Sequence, residues 1–95
     1  MINFESLMGL KVITSQAFTL GVVKGAQVDK ETWKITHLKV KLEEEAANKL
    51  GVKKRFRSSI VCLAVESVKA VGDFISIGKS LDELKASNEI IECEE

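Results

Sequence analysis

Apolar and polar positions follow a β-like rhythm along most of this chain, with two short interruptions at helical spacing. Leu10 to Ile13 and Thr19 to Val28 are rich in apolar and β-branched residues. The polar stretch Thr14, Ser15 and Gln16 between them predicts two strands joined by a short loop. Gly21 and Gly25 interrupt the second strand. Glycine inside a strand costs stability unless the backbone must bend or approach a neighbour closely, so this strand is expected to be strongly coiled. Asp29, Lys30, Glu31 and Thr32 then suit a hairpin turn, and Trp33 to Leu42 reads as the returning strand. Its alternation changes phase. Trp33 and Ile35 share one face, while Leu38, Val40 and Leu42 share the other, which predicts a bulge or a barrel corner.

EEEAANKLG carries glutamates at its start, Lys49 near its end and Gly51 just beyond, an order that complements the helix dipole and supplies a C-terminal stop. Leu42, Ala46 and Leu50 recur every fourth residue, so a short amphipathic helix is expected with that stripe buried. The apolar run IVCLAV, Ile60 to Val65, predicts a strand covered on both faces, by the chain itself or by a partner chain. Gly72 and Asp73 lie between Ser67 to Val71 and Phe74 to Ile77, with glycine first as a type II′ hairpin prefers. Ser80 and Glu83 have the spacing of a reciprocal cap on a short helix that buries Leu81 and Leu84. The tail NEIIECEE either adds an edge strand or stays loose. These elements predict a mainly β protein, a small closed or partly open barrel of five to six strands with two short helices.

Length and charge narrow the picture. The chain has 95 residues, room for one domain: residues 1 to 95, with the barrel core over about 6 to 78 and the C-terminal helix and acidic tail over 80 to 95. Fourteen basic and 14 acidic side chains give a formal net charge of zero, removing the overall attraction that drives non-specific binding to nucleic acid or anionic membranes. The longest uninterrupted apolar run falls far short of the roughly 20 residues of a membrane-spanning helix. MINFESLMGLKVIT lacks the basic flank and long apolar stretch of a signal peptide, so a cytoplasmic location without membrane insertion is expected.

Chemistry-bearing residues are sparse. Cys62 and Cys93 are too few for a metal cluster and form no CxxC pair, and the expected compartment argues against a standing disulfide. Cys62 is read as a small buried apolar residue and Cys93 as a free exposed thiol. His37, the only histidine, has no partner at ligand spacing and is read as a half-exposed strand residue. A nucleophilic enzyme would need an oriented base beside Ser or Cys, and LGVVKG lacks phosphate-loop spacing. No catalytic residue, cofactor or metal site is expected.

Three stretches, LMGLKVIT at 7 to 14, LGVVKGAQVDKETWKITHLKV at 20 to 40 and SVKAVGDFISI at 67 to 77, together resemble the PRC-barrel family. They follow its succession of a short first strand, a glycine-interrupted second, a hairpin into a third, and a closing strand after a Gly-Asp turn. The resemblance spans roughly residues 6 to 78. Ser15, Gln16 and Ala17 stand where the family often has a Gly-Glu turn, and the proline common before its last strands is missing. The family implies a small barrel without catalytic activity. It occurs in a photosynthetic reaction-centre subunit, in ribosome-maturation factors and as stand-alone archaeal proteins, some linked to cell division; this chain is most similar to the stand-alone group.

Two features suggest partners. Lys53, Lys54, Arg55, Phe56 and Arg57 place four cations around one aromatic, fit for phosphate with a stacked base or for an acidic protein surface. Solvated charge is the plainer explanation, and the glutamates of the tail could neutralise the run. Trp33, near a strand start, is either core or an anchor for a protein partner. The reading that follows is a non-catalytic interaction module that forms a homodimer through the strand face near IVCLAV and binds another protein. The alternative is an RNA-binding or ribosome-associated factor using residues 53 to 57.

Overall fold

The computed structural model describes residues 4–51, 60–86 and 90–92. In chain order the elements are α1 (Phe4–Leu7), β1 (Lys11–Ile13), β2 (Thr19–Val28), β3 (Ile35–Leu42), α2 (Glu44–Leu50) and β4 (Ile60–Ala64), followed by a 3-10 turn (Val65–Ser67). β5 (Val68–Val71), β6 (Ile75–Ile77), α3 (Leu81–Ala86) and β7 (Ile90–Glu92) follow. All seven strands join one sheet in the order β5-β6-β1-β2-β3-β4-β7, curled into a half-barrel. The mainly β, partly open barrel is therefore present, with two corrections. Among the described residues it has seven strands rather than five or six, because the tail contributes β7, and three short helices rather than two, the additional one being α1.

The curl has local causes. β2 and β3 pair antiparallel with two register shifts: Lys24 is the extra residue on β2 between Val23 and Gly25, and Thr36 is the extra residue on β3 between Ile35 and His37, so an irregularity falls where the phase change on β3 signalled it. A Cβ at Gly21 would overlap the Lys41 carbonyl oxygen and crowd the Leu42 Cα at 2.9 Å, so only glycine allows β3 to lie this close. β1 pairs antiparallel with β2 and parallel with β6, and that parallel step carries the last hairpin to the far side of the curl.

The concave face is filled by Val12, Leu20, Val23, Leu38, Val40, Val61, Leu63, Ile75 and Ile77, with Ala46, Ala47 and Leu50 of α2 and Leu84 of α3 packed on them. α2 ends at Gly51, whose φ of 73° supplies the left-handed stop read from the sequence. At α3 the cap is reciprocal: the Ser80 amide donates to Glu83 Oε1 at 3.1 Å and the Glu83 amide donates to Ser80 Oγ at 3.2 Å. The last hairpin turns through residues 72 to 74 with Val71 opposite Ile75. Gly72 is not among the residues with positive φ, so the turn is a three-residue loop and not the expected type II′ turn.

β4 settles the question raised by IVCLAV. It lies between β3 and β7, and Val61, Cys62 and Leu63 are all buried within the chain. The run needs no partner copy to cover it; only Val65, past the strand end, is exposed.

An apolar groove and an exposed tryptophan as the candidate functional site

Where the curl brings β5 and the 3-10 turn towards β3, a groove of about 330 Å³ stays open. Ile35 and Leu38 of β3 line it, as do Val68 and Val71 of β5 and Ile75 of β6; Leu7 of α1 and Val65 of the turn complete the lining. Val65 and Val71 are each 37% exposed. Among the described residues every lining side chain is apolar, so they offer burial and dispersion but no donor or acceptor side chain to orient a polar ligand. Small-molecule sites combine apolar walls with a few convergent polar groups. An all-aliphatic lining suits aliphatic side chains of a protein segment better.

β5 borders this groove and is the terminal strand of the sheet, so one of its two edges faces no strand among the described residues. Lys69, Ala70 and Val71 are all exposed. A solvated strand edge beside an apolar groove is the geometry that accepts an added strand: backbone groups supply pairing and alternate side chains enter the groove.

Trp33 is not core. It is 80% exposed and sits in the β2–β3 turn, two residues before the groove-lining Ile35. Its φ of 59° is left-handed, a conformation that costs a non-glycine residue roughly 1–2 kcal/mol. The turn is fastened around it. The Trp33 amide donates to the Asp29 carbonyl at 2.7 Å, the Asp29 amide to the Lys34 carbonyl at 2.9 Å, and the Glu31 amide to Asp29 Oδ1 at 2.9 Å. An indole held clear of its own fold on a fixed turn is a suitable docking anchor.

The other expected features separate from this surface. Lys53, Lys54, Arg55, Phe56 and Arg57 lie outside the described residues, as does Cys93. His37 is half-buried on β3 with Nδ1 3.0 Å from Thr36 Oγ1, in keeping with its reading as a strand residue. Cys62 is fully buried as expected, but it is disulfide-bonded, which overturns the expectation that this chain holds no disulfide. Among the described residues no group of three His, Cys, Asp or Glu side chains gathers to hold a metal ion, and no helix is long and apolar enough to cross a membrane.

The groove went unseen in the sequence because its lining comes from residues between Leu7 and Ile75. Val65 and Val71 each read locally as strand residues destined for burial. Fold and groove together define the class: a small half-barrel β protein with an open apolar groove beside a strand edge that no described strand covers. No protein-family model matches the chain, and no curated protein matches it.

Proposed function

We propose that this protein is a non-catalytic, self-associating interaction module whose two copies pair through the β5 edge, each placing side chains in the other's groove, with Trp33 left to anchor a second protein. The observation that carries this reading is the apolar groove of about 330 Å³ beside the outer edge of β5. Antiparallel pairing of one edge with its own copy is isologous and closes at two subunits, so it forms a dimer and not a fibre. Self-association thus moves from the covered IVCLAV run to β5. The resemblance to stand-alone archaeal PRC-barrel proteins supports an adaptor role, with archaeal cell division as its setting and the cytoplasm as its location.

Sedimentation equilibrium of the wild type, Val71→Glu and Ile91→Glu tests the pairing. The wild type should shift from monomer to dimer as concentration rises to the high micromolar range. Val71→Glu should stay monomeric, because a carboxylate would enter the apolar contact unpaired, whereas Ile91→Glu at the opposite edge of the sheet should still dimerise. A wild type that stays monomeric throughout, or a Val71→Glu variant that dimerises equally well, refutes the assignment. The RNA-binding alternative rests on residues 53 to 57 and predicts affinity that falls steeply with salt when measured with a single-stranded RNA probe.

A further inference from the structure

Charge is divided between the two sides of the sheet. The charged side chains on β1 to β6 are Lys11, Lys24, Lys39, Lys41 and Lys69, all of one sign. Strand alternation turns the first four outward, because each adjoins a side chain of the concave core. Lys11 precedes Val12, Lys24 follows Val23, Lys39 lies between Leu38 and Val40, and Lys41 between Val40 and Leu42. Gly25 gives Lys39 room: a Cβ there would meet Lys39 Cδ at 3.4 Å, so the lysine stem lies across the glycine on this outer face. The described carboxylates are off these six strands. Glu44, Glu45, Asp82 and Glu83 belong to α2 and α3, which pack on the concave side, while Asp29, Glu31 and Asp73 sit in turns.

The four lysines come from three adjacent strands. Lys11 and Lys41 are both partners of Val22, which sets them two strand spacings apart, roughly 10 Å. Lys39 and Lys41 are two residues apart on β3, roughly 7 Å. Lys24 is the extra residue beside Gly25, the partner of Lys39. Among the described residues no carboxylate forms an ion pair with any of the four. Like charges facing one another across strands are destabilising, so folding stability alone does not explain a face of one sign.

We propose that the outer face of β1, β2 and β3 binds double-stranded DNA through its phosphates, with Lys11, Lys24, Lys39 and Lys41 making the contacts. Charge complementarity carries the assignment, and composition narrows it. Single strands are held by stacking bases on aromatic side chains, and β1, β2 and β3 carry no Phe, Tyr or Trp. A protein partner calls for a large anchor at the centre of the contact, where this cluster has only Val22 and Gly25. A duplex keeps its bases stacked and presents phosphates densely on either side of a major groove about 12 Å wide, a span that the rows of Lys11 and Lys41 match. Lysines that meet phosphates alone carry no base-sequence information. A formal net charge of zero does not oppose this, because the attraction is confined to one face. β6 separates this face from β5, so it does not depend on the pairing proposed there.

Fluorescence anisotropy of a short labelled DNA duplex, titrated with the full chain at several salt concentrations, tests the face. Four neutralised phosphates predict that log K falls against log salt with a slope of about −3.6, a loss of roughly 150-fold between 50 and 200 mM. Lys11→Gln/Lys41→Gln changes two exposed side chains and should halve the slope to about −1.8, a loss of roughly tenfold over the same range. Lys30→Gln/Lys85→Gln removes the same charge from the β2–β3 turn and α3, and should keep the wild-type slope. Several outcomes would overturn the proposal: no binding at 50 mM salt, equal slopes for Lys11→Gln/Lys41→Gln and the wild type, or equal losses in the two double variants. Tighter binding to the single strand than to the duplex, or displacement of the duplex by poly-glutamate at equal charge, would do the same.

Discussion

Two neighbouring stretches of the same apolar character meet opposite fates. Val61, Cys62 and Leu63 are buried between β3 and β7, whereas Val65 and Val71, a few residues on, stand more than a third exposed beside a groove. Composition does not separate them. What differs is whether an element lies over the strand, and among the described residues the tail supplies one at the β4 end of the sheet and none beside β5. Burial is thus decided by topology once residue type has made it favourable, and the uncovered apolar strand is where the proposed pairing falls.

Substitutions can break this comparison in order of decreasing effect. Leu63→Ala, on the covered side and 1% exposed, should destabilise by about 2–5 kcal/mol in urea unfolding, since it empties a site that cannot collapse freely. Gly21→Ala should cost about 1–3 kcal/mol or more, because its Cβ meets Lys41 and Leu42 backbone and forces β2 from β3, opening the curl that shapes the groove. On the open side, Val65→Ser and Val71→Ser should each cost only about 0.5 kcal/mol in unfolding while weakening the proposed self-association. If either valine matched Leu63 in cost, the groove would be ordinary core. The smallest effect should have the reverse sign. Trp33→Gly relieves the left-handed φ and should leave stability unchanged or raise it by up to about 1 kcal/mol, while removing the proposed docking anchor.

Local patterns carried much of the fold. β2 was legible to the residue, because Thr19 and Val28 are flanked by polar turns. Gly51, Ser80 and Glu83 announced the helix ends through chemistry confined to a single turn. The change of phase after Ile35 signalled the irregularity at Thr36 on β3, but not the second one at Lys24 on β2, where only Gly25 marks the place. The parallel pairing of β1 with β6 and the return of β7 to β4 are long-range contacts that short sequence windows do not encode. Trp33 drew attention as a residue type; its exposure depends on a left-handed turn that Thr32 and Lys34 do not announce. The Cys62 disulfide was missed because a compartment inferred from composition outweighed the even cysteine count.

The most direct test of the β5 assignment is amide hydrogen exchange along that strand at low and at high protein concentration. Pairing through this edge predicts that amides of Val68 to Val71 gain protection as concentration rises, that β7 amides do not change, and that Val71→Glu abolishes the gain. Exchange at β5 that is independent of concentration, or protection that appears at β7 instead, would contradict the assignment.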